Sequence, residues 1–394
     1  FGNPNFQSAF MGIAAAVALT LAVFSSVNFY FKAALLVLVT LAMYNVLLSS
    51  QQGYLNFIAG FTGAVIVFLF KKKHAVFGWS FLSLFSIGGL IVLLGILDKG
   101  PLSQAIYKSS LQAREFYWRS ALNMIIDHPF FGVGMDGFGD WYRRSRSPEV
   151  AKFNAGIVSD TAHNIPLDIG ASGGLPLLIL YLAIVGLALY SIIKVIKRKS
   201  DFDVMFAALV AGWVAYEAQS IISINQLGLG VWGWSLTGLI IGYEINTRVK
   251  EAEQSVPVKA KQHSKKVKSQ AQPLSSRVVI SLFVGVLVGA IVAGPIYFSN
   301  SRFYAAIKAN DFAGVESAAY LKPQDERRLF MLAGIYRNAK MDAKAIEVLK
   351  KSTVTYPDSF DMWNLWLTIP TATPSDIAYA KAQLKRLDPF NPDL

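Results

Sequence analysis

Long apolar runs separated by short polar breaks cover most of this chain. A helix that crosses a membrane needs about 20 mostly apolar residues. Eight stretches fit: Phe6–Ser25, Phe31–Leu48, Gly53–Phe70, Val76–Leu97, Ile165–Ile193, Val204–Ile222, Gly228–Tyr243 and Val278–Phe298. The fourth, fifth and eighth are the cleanest; the sixth carries Glu217 and the seventh is short. The expected fold is all-α, a polytopic helical membrane protein. The expected boundaries are 1–97 for four spans, 98–164 for a long loop, 165–245 for three spans, 246–277 for a basic Gln/Ser-rich linker, 278–298 for the last span and 299–394 for a polar helical domain.

Composition supports this. Of 394 residues, 54% are hydrophobic and 16% charged, and mean hydropathy is +0.42; soluble domains carry about 25% charged residues. An ordinary soluble enzyme and a disordered chain are both excluded. With no cysteine, disulfides, thiolate nucleophiles and Cys-zinc sites are excluded too. Four histidines (His74, His128, His163, His263) make a multi-histidine metal site improbable, and neither metal nor cofactor is expected.

The net charge of +12 sits in three clusters: Lys71–Lys73, Lys194–Lys199, and the linker from Arg248 to Arg277. Strict alternation of spans puts all three on one side, and cytoplasmic loops are the ones enriched in Lys and Arg. A bacterial inner membrane is the natural setting, with loop 98–164 and domain 299–394 on the periplasmic face. The charge then reads as an orienting signal that touches anionic membrane lipid, and nucleic acid is not an expected partner.

Loop 98–164 is rich in aromatics, glycine and arginine. Guanidinium groups grip phosphate oxygens in two-point geometry, so an anionic ligand suits it. Gly132-Val133-Gly134-Met135-Asp136-Gly137 matches G-x-G-x-x-G, but that fingerprint requires a preceding strand and a βαβ unit; turns that pack the loop on the membrane domain explain the glycines better. His163, just before the fifth span, is a candidate proton acceptor, since its ordinary pKa lies near working pH. An interfacial histidine at a helix end is the blander reading. His128, before Pro129, reads as a turn residue.

The stretch "REFYWRSALNMIIDHPFFGVGMDGFGDWY" (Arg114–Tyr142), followed by "HNIPLDIGASGG" (His163–Gly174), resembles the signature of the O-antigen ligase and polymerase superfamily, which includes bacterial protein O-oligosaccharyltransferases. The ligase motif is His, then Asn, Ser or Gln, nine residues, then G-x-x-G; His163, Asn164 and Gly174 fit, and Leu177 replaces the last Gly. "FGNPNFQSAF" resembles the family's G-N-P-N segment and brings in Asn5. "SSQQGYLNF" resembles its S-R-G turn, with Gln at the Arg position, and brings in Gln51 and Gln52. The resemblance implies further spans ahead of Phe1.

It also implies chemistry. The donor is a glycan on undecaprenyl diphosphate and the acceptor a hydroxyl of a glycan, lipid or protein. Arg114, in an Arg-x-x-x-Trp pattern with Trp118, stabilises the diphosphate leaving group. His163 accepts or orients the hydroxyl proton. Arg119 and Asn164 assist in substrate binding. In the terminal domain, "LAGIYRNAKMDAKAIEVLKKSTVTYPDSFDMW" resembles a tetratricopeptide repeat through Ala333, Tyr336, Ala345 and Pro357, which offers a surface for a protein partner. Two other classes compete: a transporter or flippase of lipid-linked glycans, and a scaffold using the repeat-like domain. A transporter should show paired discontinuous helices with polar residues at mid-membrane; apart from Glu217, the polar candidates here lie near span ends.

Overall fold

In the computed structural model every regular element among the described residues is a helix. The structure describes residues 3–101, 103–106, 109–153, 156–198, 200–255 and 276–394. It divides into two compact units, Phe1–Pro257 and Val258–Leu394.

The first unit starts with α1 (Pro4–Phe24), α2 (Phe29–Ser49), α3 (Gln52–Lys71) and α4 (Ala75–Ile96). The loop segment contributes α5 (Ser103–Ile106), α6 (Ser109–Asp127), α7 (Phe138–Ser145) and α8 (Pro148–Phe153). Then follow α9 (Ile165–Lys197), α10 (Val204–Ser220) and α11 (Leu227–Ser255). Asn3, Asn28, Asn164 and Asp203 stand at N-caps and accept first-turn amides, which sets where these helices begin. Five of them (α1–α4 and α9) are long and apolar enough to cross a membrane, as is residues 279–308 of the second unit, so the chain is a multi-pass membrane protein. Apolar side chains such as Phe31, Leu41 and Leu48 on α2, and Trp79, Leu84 and Ile87 on α4, are exposed from the protein, as lipid contact requires.

The two remaining expected spans differ from the reading above. α10 has only 17 residues, at the lower limit for crossing. It is the best-buried helix, set among α1, α3 and α11, with Ala207, Ala211 and Ala215 fully enclosed. Small residues allow this: a Cβ on Gly60 would meet Ala211 O at 2.5 Å, and Gly12 of α1 lies directly on the Gly53 backbone of α3. α11 continues as helix to Ser255, past the expected end at Tyr243, into the expected linker; residues 256–275 of that linker lie outside the described residues.

Opposite ends of this bundle have opposite chemistry. At one end Lys71 Nζ donates to Ser200 Oγ at 2.8 Å, and Arg198 pairs with Glu244. The basic clusters after α3 and α9 therefore share an end. At the other end lie the start of α1, the α2–α3 turn, the start of α9 and the end of α10. Ser8 of α1 donates to Ser50 O at 2.5 Å, and Asn164 Nδ2 donates to Ile221 O at 2.8 Å.

The fifth expected span is not one continuous helix. Gly174 breaks α9 with φ +73, and a Cβ there would collide with the Phe130 backbone at 2.6 Å, so only glycine fits. The break frees carbonyls, and the loop occupies them: Val133 N–H donates to Ala171 O at 2.8 Å and Gly134 N–H to Ser172 O at 3.0 Å. Irregular backbone at such depth needs protein partners of this kind. Of the glycines in G-x-G-x-x-G, Gly132 thus serves close docking on α9, and Gly137 packs within the loop itself. The loop segment folds as a small helical layer on the first piece of α9, around Ala121, Met124, Phe138, Tyr142 and Ala171.

The second unit comprises α12 (Ser276–Lys308), α13 (Phe312–Ala319), α14 (Glu326–Asn338), α15 (Asp342–Thr355), α16 (Phe360–Leu367) and α17 (Pro374–Leu387). α12 does not stop at Phe298. It runs on as helix, and Phe303 enters the core of the terminal helices beside Val315, Leu332, Leu349 and Trp363. Ala333, Tyr336 and Ala345 are buried in that core. Arg328 is also buried and donates to the carbonyls of Ala318 (2.9 Å), Leu321 (3.0 Å) and Pro323 (2.5 Å), closing the end of α13.

Candidate active site

α6 is amphipathic in a way that places Arg114. Tyr117, Trp118, Ala121, Met124 and Ile125 recur at three- and four-residue spacing and turn inward. Arg114 tops that stripe, so its guanidinium is carried to the inner side of the layer and half-buried. Burial holds its pKa below the ordinary guanidinium value, with Tyr117 acting the other way. Among the described residues no carboxylate pairs with Arg114. A desolvated cation without a counter-ion is ready for an anionic ligand.

His163 arrives from the other direction, one residue before the Asn164 cap of α9. Its backbone is left-handed, φ +51, uncommon for a residue with a side chain. Three bonds hold the turn: Asn164 Oδ1 accepts Leu167 N–H at 2.9 Å, Asp168 Oδ1 accepts Ala162 N–H at 2.9 Å, and Ser159 Oγ donates to Thr161 O at 2.7 Å. The imidazole stacks on Tyr117, with ring centroids 5.5 Å apart and planes at 28°. Burial first, and the Arg114 charge second, pull its pKa down to about 4. At neutral pH it is an uncharged imidazole with a free lone pair.

Arg114 and His163, 49 residues apart in sequence, therefore act on each other across the α6–α9 junction. Tyr117 is the element that sequence reasoning missed. It stacks on His163 and packs edge-on against Tyr142, 5.5 Å away, whose pKa burial pushes up and whose Oη has no partner. The inward stripe of α6 was the signal that identifies it.

The other expected residues separate. Trp118 is only 5% exposed and its Nε1 has no partner, so it is a wall of the layer. Arg119 lies about 140° around α6 from Arg114; its side chain is exposed and bound to Glu115 at 2.5 Å. Asn164 is occupied at both ends of its amide, as the α9 cap and as donor to Ile221. Gln51, Gln52 and Asn5 lie at the same end of the bundle as His163, but among the described residues none bonds to Arg114 or His163. Gln51 is exposed, Gln52 is buried with Nε2 unpartnered, and Asn5 donates its backbone N–H to the Oδ1 of the α1 cap, Asn3. Arg144 and Arg146, part of the arginine content read as anion-seeking, help build the layer: Arg144 covers Trp141 at 3.9 Å and Arg146 donates to Ile157 O. His128 packs on Trp141, 4.5 Å away. The described residues contain no cluster of three metal-ligating side chains.

This arrangement can hold an anion beside a neutral base on a membrane-embedded scaffold. Residues 33–182 match the family model described as O-Antigen ligase, a range that contains Arg114, His163, the loop layer and the α9 break. The match supports O-antigen ligase-like glycan transfer in general for this stretch, within a multi-pass membrane protein. No curated protein and no solved structure matches the chain.

Proposed function

We propose that the chain moves a glycan from undecaprenyl diphosphate to an acceptor hydroxyl at the periplasmic face of a bacterial inner membrane. The observation that carries this is the coupling of an unpaired, half-buried Arg114 to a neutral His163 stacked on Tyr117.

In this reading the diphosphate seats on Arg114, whose charge stabilises the leaving group as it departs. The acceptor oxygen bonds to the sugar carbon while the carbon–phosphate-oxygen bond breaks, with inversion. The bonding pair leaves on the diphosphate, and the hydroxyl proton passes to His163. A base with pKa about 4 is weak. The bound diphosphate corrects this: its negative charge opposes Arg114 and raises the proton affinity of His163 when the donor is in place. Asn164 and Asp168 keep the His163 turn in its left-handed form, and Gln51, Gln52 and Asn5 bound the same end of the bundle, where a glycan emerging from the carrier would lie. Arg119 serves at most as a peripheral contact, held by Glu115.

A transporter reading is less well supported. α9 is discontinuous, but the carbonyls freed at Gly174 are taken by Val133 and Gly134, so the break presents no open ion or substrate site.

The test is restoration of surface glycans in a deletion strain by wild type, His163→Ala, Arg114→Ala and the double variant, with membrane levels matched. Loss of product in each variant is expected, and the missing species names the acceptor. A double variant that restores the full product refutes the assignment.

A further inference from the structure

The turn that docks on the α9 break turns its backbone toward α9 and its side chains away. Gly132 N–H donates to His128 O at 3.0 Å and closes the turn. Pro129 O accepts Leu175 N–H at 2.7 Å, and Val133 and Gly134 donate to carbonyls of α9. With the inner side filled by backbone, the large side chains point outward: Phe130 is 71% exposed, Phe131 88% and Met135 80%. Scattered exposed apolar residues are ordinary, but three large ones on one turn mark a surface that meets another apolar phase.

The height of the turn identifies that phase. Lys194 and Lys197 end α9 at the basic end of the bundle. A hydrocarbon core of about 30 Å is crossed by about 20 helical residues. Counted back from Lys194, that length ends at the Gly174 break. Pro129 and Phe130 touch the chain at this point, through Leu175 N–H and the Gly174 backbone. Just below it, Leu175, Ile179 and Leu180 are exposed from the protein as the lipid-facing side chains of α2 and α4 are. The tip thus continues the lipid-facing surface of α9 at the edge of the hydrocarbon. Asp127 and Asp136, both exposed, flank it. Carboxylates are costly in hydrocarbon, which keeps the immersion shallow.

We infer that the tip of this turn is a membrane anchor: Phe130, Phe131 and Met135 insert among lipid acyl chains at the end of the bundle opposite the basic clusters. Bilayer lipid is the occupant of this face. A loop segment that hydropathy places outside the bilayer is then pinned to it at one corner. The anchor holds whether or not Arg114 and His163 act as proposed.

The chain has no cysteine, so one introduced Cys is a unique labelling site. Phe130→Cys, Phe131→Cys and Met135→Cys, each with a nitroxide spin label, are placed as full chains in nanodiscs of phosphatidylethanolamine and phosphatidylglycerol. Leu41→Cys on the lipid-facing side of α2 and Lys381→Cys on the polar second unit are the references, both at exposed positions. Relaxation by oxygen, which concentrates in lipid, is compared with relaxation by a water-soluble nickel chelate. Labels at the tip should be relaxed by oxygen and shielded from nickel, as at Leu41. Adding Phe130→Glu and Phe131→Glu should turn the Met135→Cys label toward nickel, while hydrogen exchange at Val133 and Gly134 confirms that the turn stays docked. Tip labels relaxed by nickel as at Lys381 would place the tip in water and overturn the inference. Labels shielded from both reagents would mean that protein, such as a second copy of this chain, covers the face, and would overturn it equally. Neither readout depends on glycan transfer.

Discussion

Replacing Gly132 by alanine is a sharp test of the loop docking that builds the site. Gly132 has φ +64. A Cβ there would meet the Ala171 carbonyl oxygen, with the Ser172 carbonyl carbon at 2.5 Å and the Gly173 nitrogen at 2.6 Å. All are backbone atoms and cannot rotate away. The left-handed conformation costs about 1 kcal/mol for alanine. Relief of the clash must lift the loop from α9 and break the Val133–Ala171 and Gly134–Ser172 hydrogen bonds, each worth about 1 kcal/mol net. The sum, about 3 kcal/mol, shifts the docked-to-undocked ratio roughly a hundredfold. Gly134→Ala is the control: φ is +97, yet no atom lies within 4 Å of its Cβ, so strain of about 1 kcal/mol is all it adds. Hydrogen exchange over residues 129–145 and glycan restoration in cells read the result. Gly132→Ala should deprotect that segment and abolish product, while Gly134→Ala should do little. Equal protection and equal activity in the two variants would show that the Gly132 backbone contact does not hold the layer.

Protonation of His163 gives a second prediction. With its pKa near 4, kcat/KM in the free enzyme should stay flat from neutral pH down to about pH 5, where an unperturbed histidine would already have lost half its activity near 6.5. Histidine-selective NMR of Arg114→Gln should show the His163 pKa rising, yet remaining below 6.5, because burial persists when the charge is gone. The same depression carries a stability sign. The unfolded chain binds the proton below about 6.5 and the folded one only below about 4, so stability is fully present above 6.5 and falls by about 3 kcal/mol as pH drops toward 4; thermal melts across that window should show it. Arg328→Leu strands three buried carbonyls and should destabilise the second unit by about 3 kcal/mol, seen as selective loss of hydrogen-exchange protection over α13 and α14.

The long apolar helices were legible because a bilayer demands a length that few other structures need. Runs such as Phe31–Leu48 and Val76–Leu97 predict α2 and α4 almost to the residue. The break at Gly174 was not, although Gly173-Gly174 and Pro176 mark it, because mean apolarity runs straight through it. α6, α7 and α8 were hidden in a loop because helices with polar faces leave no hydropathy peak, and α7 and α8 are short as well. Within the site, residue types and a family motif pointed to Arg114 and His163. Their mutual influence through Tyr117 depends on which face of α6 turns inward, and that was encoded in the three- and four-residue spacing from Tyr117 to Ile125. The roles of Asn164 and Arg119 were obscured for the opposite reason: nearby backbone and Glu115 engage them, and no sequence pattern announces a satisfied side chain.

The unbroken course of α12 from apolar rod into the terminal core has a geometric outcome. A domain joined by a loose tether samples every orientation; one grown from the helix itself has a fixed azimuth. Each residue added between Phe298 and Phe303 would swing the terminal core by about 100° around the α12 axis and raise it about 1.5 Å, so one insertion would turn it from its original direction and seven would bring it nearly back, some 10 Å higher. The last turns of α12 thus work as a key and its bit: they set which way the terminal helices face around its own apolar rod as firmly as they set their height along it.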